Sequence, residues 1–594
     1  EYMDFVGRDL FTAPLQTTLR QFEEADNFGS LIRPDVTDVD TMLSILESKN
    51  VSGHLLLSMT HQKVLQALQQ ADYLSPKYHV VIANPPYMGG KGMNGRLGAW
   101  LKDNYEDVKS DLFSAFIVRN TEMTLPKGQL GFMSPFVWMF ISSYEKLRSF
   151  LINQKTITSL VQLEYSGFDG ATVPICTFTV ENAHRPDFKG GYVRLSDFRG
   201  SENQGPRTLE AIKNPDCGWF YRASASDFKK IPGSPIAYWV SDRMRQVFDS
   251  GIMLKEIGDT RQGMATSDNN RFLRFWAEVS FEEACLNAKT REEAAKSAKK
   301  WFPYNKGGDF RKWYGNSEFF VNWENDGEKL LGYAASLYGS PTRTIKSISE
   351  YFKPCVSWSK ISSANLAMRF YPEGYLFDVA GCCIFSQKHA DLMFLLGYSN
   401  TIMVRRLLAT ISPTLNFEAG QIACLPILEL NRGAFTKIPS ELIKKSKQDW
   451  DNFETSWDFT TLPLLNPDYH QPTLKATYQK LRAHWREMTL EMQRLEQENN
   501  RIFIDAYGLQ DELDEKVDLN EITLTCNPHY RYGNEKSEDE LEALLLADTM
   551  RELVSYAVGC MFGRYALDKP GLILANQGET IEDYLKRVPE PSFP

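Results

Sequence analysis

Asn84-Pro85-Pro86-Tyr87 follows an apolar run, His79-Val80-Val81-Ile82-Ala83, and precedes a glycine-rich stretch from Met88 to Gly95. An amino group on a planar ring is a poor nucleophile because its lone pair is delocalised into the ring. The Asn84 carbonyl and the backbone carbonyl of Pro85 can each accept one N–H of such a group. That draws the nitrogen towards tetrahedral geometry and frees the lone pair. The apolar run reads as a strand, and two prolines fix φ and stop the chain continuing as strand or helix. The polar groups are thus held at the carboxyl end of a strand, where ligands of open α/β sheets bind. Tyr87 adds an aromatic face for a base. The plain alternative is a Pro-Pro turn closing a buried strand.

Further segments extend the pattern. Lys109-Ser110-Asp111-Leu112-Phe113-Ser114-Ala115-Phe116, Gly128-Gln129-Leu130-Gly131-Phe132-Met133-Ser134-Pro135, then Trp138 and Ser143-Tyr144-Glu145-Lys146-Leu147-Arg148, resemble successive elements of S-adenosylmethionine-dependent adenine-N6 DNA methyltransferases. The stretches "NPPYMGGKGMN" from Asn84, "KSDLFSAFI" from Lys109, "IPGSPIAYWVS" from Ile231 and "YAVGCMFGRYALDKPGLILANQG" from Tyr556 resemble the PglX-type methyltransferases of bacterial BREX phage-exclusion systems, over nearly the whole chain. The resemblance implies S-adenosylmethionine as cofactor, double-stranded DNA as substrate and other BREX defence proteins as partners. It implies a catalytic set of Asn84, Pro85, Pro86 and Tyr87, with Tyr87 and Phe168 against the extruded adenine. Asn84, Asp111, Phe113 and Phe116 are implied at the cofactor, Phe116 being the closest match to the family aromatic.

One departure matters. The family's earlier strand, its D-P-A-C-G-S-G-like turn and its ribose-binding acid do not occur here. Met88-Gly89-Gly90-Lys91-Gly92 follows the catalytic strand, so it reads as a mobile loop beside the base, with Lys91 available to DNA. Glu24-Ala25-Asp26-Asn27-Phe28-Gly29 reads either as the adenine-binding turn, with Asp26 to the exocyclic amine and Phe28 on the ring, or as a polar loop ahead of a helix. The expectation is a fragment whose missing N-terminal part holds the first half of the cofactor site.

The chain has 594 residues, which suggests three or four domains. The expected fold is α/β: a partial Rossmann-like methyltransferase domain (1–185), a linker (186–234), a mixed α/β target-recognition domain (235–430) and a helical C-terminal region (431–594). No run approaches the ~20 apolar residues of a membrane span. Nine cysteines without a C-x-x-C pair and eight scattered histidines suggest neither a metal site nor a disulfide framework, and point to the cytoplasm. Net charge is −10, all of it in residues 431–594, which carry 19 basic against 29 acidic residues. Cys285–Tyr314 holds eight basic and three acidic residues, a cluster able to neutralise phosphates unless it is simply a solvated face.

Arg261 to Phe272 resembles the G-x-x-T-x-x-N-x-x-F element that opens the family's target-recognition domains, and Pro413 to Ile422 the closing one. Between them basic residues interleave with aromatics, as a DNA-facing surface requires. The candidate DNA contacts are Arg261, Thr266, Asn269, Asn270, Lys306, Arg311, Lys312, Arg343, Lys346, Lys360 and Asn416. Trp313 and Tyr314 read equally as core or contact. Further on, Tyr478, Leu481, Trp485, Met488, Met492 and Leu495 alternate by four and three, predicting a long helix with a narrow seam. Arg551–Arg564 predicts a second helix ending in a glycine turn.

The reading is an adenine-N6 methyltransferase that binds DNA between catalytic and recognition domains and flips the base. Protein-glutamine or RNA-guanine amine methylation uses the same tetrapeptide in more compact enzymes. A cytosine-N4 enzyme would more often carry Ser at position 84, and no convincing nuclease cluster accompanies the motif. The alternative of another class is a DNA-recognition or scaffold subunit with no catalysis of its own.

Overall fold

β1 (Tyr78–Ala83) forms where the sequence places a strand, and it ends at the two prolines. The computed structural model describes residues 2–7, 13–35, 38–51, 55–165, 167, 173–362, 365–411 and 416–592. They fall into two compact units, Glu1–Ser241 and Asp242–Pro594.

In the first unit β1 is followed by α1 (Gly95–Asn104), α2 (Leu112–Glu122), β2 (Thr124–Pro135), α3 (Glu145–Gln154), β3 (Thr156–Gln162), β4 (Ile175–Glu181), β5 (Gly190–Arg194) and β6 (Phe220–Ala223). The six strands form one sheet in the order β1-β2-β4-β3-β5-β6. β1 lies parallel to β2, β3 is parallel to β5, and the other neighbours are antiparallel. The β1–β2 register slips between Tyr78 and Val80. Gly128 makes the slip possible, because a Cβ there would come within 2.9 Å of the His79 carbonyl oxygen. Leu130, Phe132, Leu160, Phe178 and Val180 are buried in the core of this unit with Phe113 of α2 and Leu147 of α3. Ahead of the sheet, helices Val39–Glu47 and Leu55–Leu74 close a smaller apolar core around Leu15, Leu46 and Leu68.

Residues 186–234 are not the expected linker. They contribute β5 and β6 to the sheet, and Ile236 and Tyr238 beyond them are buried in the same core. Short strands with glycines carry little periodic signal, so only cross-strand pairing reveals them.

Among the described residues the second unit holds two four-stranded sheets and a two-stranded one that pairs Ile252–Met253 with Pro426–Ile427. The strands of the two larger sheets are β7 (Asp259–Arg261), β8 (Leu273–Phe275), β9 (Trp301–Asn305), β10 (Phe319–Asn322), β11 (Cys355–Ser359), β12 (Met368–Tyr371), β13 (Leu376–Phe377) and β14 (Gly381–Phe385). One sheet runs β13-β9-β10-β8 and the other β12-β11-β14-β7. Gly263 explains the glycine of the expected opening element. A Cβ there would fall 1.8 Å from the Phe377 carbonyl oxygen, where the chain passes closely enough for Met264 N–H to donate to it at 2.9 Å.

The C-terminal part is helical, with α4 (Lys437–Asp451), α5 (Leu474–Tyr507) and α6 (Glu538–Met561). The seam residues of α5, Tyr478 through Leu495, are buried, and the helix packs on α4 of the same chain before ending at Gly508, whose φ is 64°. α6 starts thirteen residues before the expected helix. A capping box starts it: Ser537 Oγ accepts from Glu540 N–H, and the Glu540 carboxylate accepts from Ser537 N–H.

Candidate functional site

The turn after β1 is held from both sides. Asp111, the N-cap of α2, accepts from the Met88 N–H at 2.9 Å, and the Leu112 N–H donates to the Met88 carbonyl at 3.1 Å. Gly89 and Asp111 complete an antiparallel bridge. Burial pushes the Asp111 carboxyl above the usual carboxylate range, and the backbone N–H groups of Met88, Phe113 and Leu112 partly offset this. Pro85 is buried while Asn84, Pro86 and Tyr87 face outward. The backbone of the turn is therefore tied to α2, while the Asn84 and Tyr87 side chains are exposed.

Tyr87 donates its hydroxyl to Asn84 Oδ1 at 3.1 Å. The atom expected to accept from a target amine is thus paired with the neighbouring phenol, and an incoming N–H would replace that bond. The Tyr87 ring stands edge-on to Phe113 at 6.4 Å, and Phe113 packs in turn on Tyr144 at 5.4 Å. Phe113 is fully buried, so its ring supports Tyr87 and offers no open face to a cofactor. Phe116 is half-buried on the same helix. Phe168, the second expected base-stacking residue, lies outside the described residues.

The Glu24–Gly29 turn sits close to this loop. Asn94 Nδ2 donates to Asn27 Oδ1 at 2.9 Å, and Arg96 pairs with Glu24 at 2.6 Å. Asp26 is exposed, whereas Phe28 stacks on Trp100 with centroids 4.4 Å apart. Lys91 is exposed in the intervening loop. Among the described residues no three His, Cys, Asp or Glu side chains gather into a metal-holding group. No described helix is long and apolar enough to cross a membrane.

In the second unit a hydrogen-bonded cluster joins the expected opening and closing elements. Glu418 pairs with Lys360 at 3.0 Å and accepts from Asn416 at 3.0 Å and Gln262 at 3.2 Å. Ser347 Oγ donates to the Gln262 carbonyl, and Ala265 N–H donates to the Thr344 carbonyl, which brings the Arg343–Lys346 segment alongside. Met264 bridges to Asp378, and Asp378 pairs with Lys306 at 2.5 Å. Arg261, Asn269, Asn270, Arg343, Lys346 and Asn416 are exposed around this cluster. Thr266 is buried and donates to Asn269 Oδ1 at 2.7 Å, so it orients Asn269 and does not face solvent. Pro413, Thr414 and Leu415 lie outside the described residues.

Two candidate DNA contacts are corrected. Arg311 pairs with Asp449 at 2.9 Å and Lys312 with Glu496, each side chain only 3% exposed. Trp313 is fully buried and donates its indole N–H to Glu496 at 2.7 Å, and Tyr314 is buried too. These residues hold α4 and α5 to the sheet region and reach no phosphate. Glu418 lies inside the closing element and Asp378 outside both elements, and their pairing with the half-buried Lys360 and Lys306 could not be read from the sequence.

The Eco57I restriction-modification methylase family matches residues 35–168. The adenine-specific methyltransferase PglX of Lacticaseibacillus casei is 32% identical over 98% of this chain, which covers 48% of that protein. The adenine-specific methyltransferase BrxX of Escherichia coli O9:H4 is 33% identical over 95% of this chain and 45% of its own length. The chain thus spans about half the length of the curated relatives it matches. Among solved structures, the type IIL restriction-modification enzyme MmeI in complex with DNA covers 91% of this chain and 77% of its own, at 11% identity and a TM-score of 0.42.

Proposed function

From a chain that is PglX-like over nearly its whole length, we propose that it forms the base-handling and DNA-recognition part of a DNA adenine-N6 methyltransferase of bacterial phage defence. The observation that carries this reading is the turn after β1, clasped to Asp111 through the Met88 N–H, with the Asn84 side chain exposed beside it. The target adenine leaves the duplex at a cost of a few kcal/mol. Stacking on Tyr87, about 1–3 kcal/mol, offsets much of that cost. Asn84 Oδ1 exchanges the Tyr87 hydroxyl for one N6–H while the Pro85 carbonyl accepts the other. The nitrogen lone pair would then point out of the ring plane towards a methyl donor; as the N–C bond formed, the donor's C–S bond would break with its electron pair kept by sulfur, and the N6 proton would pass to solvent. Such hydrogen bonds bring only about 0.5–1.5 kcal/mol each, so positioning supplies most of the acceleration.

S-adenosylmethionine, when bound, supplies a methyl on a sulfonium. Asp26, with its exposed carboxylate, fits an exocyclic amine, and Phe28 and Phe116 are half-buried aromatics able to wall the adenine. β1 is the edge strand of the sheet, with Val80 56% and Ile82 80% exposed. The unbroken apolar run Val80-Val81-Ile82-Ala83 beside a parallel neighbour is the sequence of a strand covered on both sides, which supports completion of the cofactor site by a strand outside these six. The exposed cluster around Glu418 is the surface proposed for duplex DNA. Cations there anchor phosphates, while Asn269, Asn270 and Asn416 are placed to read base edges. Other BREX proteins are the proposed partners. All nine cysteines are free thiols, which favours a reducing cytoplasm.

The test is methyl transfer from labelled S-adenosylmethionine to unmodified duplex, using this chain alone and joined to the remaining length of its relatives. Label in N6-methyladenine, lost in Asn84→Ala with duplex binding kept, is the expected result. Normal methylation by Asn84→Ala refutes the assignment, and duplex binding with no transfer in either form favours a recognition subunit.

A further inference from the structure

A cleft of about 330 Å³ lies where α4, α5 and the segment 460–469 meet. That volume is near the lower end of the ~300–1,000 Å³ of small-molecule sites. Its floor is apolar, made by Leu462, Leu481 and Trp485, all buried. Tyr469 and His484 form one wall, two half-buried rings with centroids 5.2 Å apart. Gln448 of α4 and Asn452 just past its end, one turn apart, bring two carboxamides. Among the described residues no Asp, Glu, Lys or Arg lines the cleft. The charges beside it are engaged elsewhere: Asp449 with Arg311, Lys447 with Asp451 and Asp458, and Arg482 with Glu542.

Unused hydrogen-bonding capacity collects here. Trp485 is 2% exposed, yet its indole N–H has no partner among the described residues and, unlike that of Trp450, is not sealed from solvent. A buried indole N–H usually finds a partner. The half-buried Asn452 carboxamide is equally unpaired among the described residues. Asn466 uses only its Oδ1, which accepts from the Asp468 N–H at 3.0 Å.

We propose that this cleft binds a free neutral nucleoside, its base stacked on Tyr469 and its edge held by Asn452. The lining selects that class. Without a cation it neutralises no phosphate, and without a carboxylate it gives the many hydroxyl donors of a saccharide no strong acceptor. A carboxamide offers donor and acceptor side by side, which is the pattern of a base edge, and Asn or Gln pairs with adenine in this way. Thr460 and Thr461 lie in the lining for the ribose hydroxyls. A nucleic-acid strand is the poorer source of the base, because residues 431–594 carry 19 basic against 29 acidic residues and repel its phosphates.

Calorimetric titration of the whole chain with adenosine tests this without reference to methylation. Saturable binding is expected. Tyr469→Ala should weaken it by about fivefold or more, the loss of one stacked base. Asn452→Leu should weaken it as well, Tyr469→Phe should bind like the wild type, and all three should keep the melting temperature. If Tyr469→Ala disturbs folding, Asn452→Asp, which keeps the side-chain shape at a half-buried position, replaces it. No saturable heat at millimolar adenosine overturns the proposal, as does binding that the Tyr469 and Asn452 substitutions leave unchanged. Tighter binding of adenylate, of a methyl glucoside or of single-stranded oligodeoxyadenylate overturns it too, by showing that the cleft prefers a phosphate, a saccharide or a strand.

Discussion

Replacing Glu496 by Ala removes the acceptor at the centre of a buried network. Its carboxylate pairs with Lys312 and accepts the Trp313 indole N–H at 2.7 Å, and all three side chains are essentially without solvent. Burial raises the Glu496 pKa, and the Lys312 charge and the two hydrogen bonds pull it back. Without Glu496 the Lys312 ammonium loses its bonded counter-charge in a dry site, with only the field of Glu521 remaining, at a cost of about 3–5 kcal/mol. The orphaned indole N–H is part of that cost and is not added again. Against a domain stability of about 5–15 kcal/mol this is roughly a fifth or more. At a urea slope of about 3 kcal/mol per molar, the unfolding midpoint should fall by a little over ~1 M. Intrinsic fluorescence, to which Trp313 contributes among twelve tryptophans, reports the transition. The double replacement Lys312→Met with Glu496→Leu should recover most of the loss, because apolar packing can substitute for a buried ion pair but not for half of one. The double variant should also keep wild-type duplex affinity and salt dependence. A single-variant shift too small to measure would refute the reasoning. So would a double variant no better than the single, or one whose salt slope falls by the ~0.9 expected for a lost phosphate contact.

Three other perturbations probe the two sites and the C-terminal segment. Asp111→Ala removes a helix cap worth about 1 kcal/mol and frees the Met88 N–H; it should lower kcat far more than it raises KM for duplex, with Asp111→Asn recovering most activity, and an unchanged kcat would show that the clasp does not position Asn84. Lys346→Ala, at an exposed cation beside the Glu418 cluster, should weaken duplex binding and reduce the salt slope by roughly 1 in titrations at several salt concentrations. Glu579 is held at about 2, below its ordinary 4.5, first by Arg587 and then by the backbone N–H groups of Asn576 and Ala575. A depressed carboxylate stabilises above its ordinary value and loses that contribution as pH falls through the folded one. Hydrogen-exchange protection of residues 575–588 should therefore persist above pH 4.5 and fade towards pH 2.

The turn after β1 was legible because its signals are local. An apolar run, two prolines, an amide and an aromatic ring occupy consecutive positions, so backbone sterics alone place them at a strand end. The long helix α5 was legible for a similar reason, since its seam repeats along one segment. The start of α6 was readable in Ser537 and Glu540, a capping signal that hydrophobic periodicity overlooks.

What the tertiary structure alone decided was the use of each charge and each edge. Arg311 and Lys312 read as cations for DNA, but their acids lie 138 and 184 positions away, at Asp449 and Glu496. Glu418 gathers Gln262 from 156 positions away. β1 carries a covered strand's sequence on an open edge, and β5 and β6 arise from a segment that reads as a linker. Sequence specifies which side chains carry charge or apolar surface. Whether a charge is desolvated and paired, or left for a phosphate, depends on which distant residues the fold brings within about 4 Å of it.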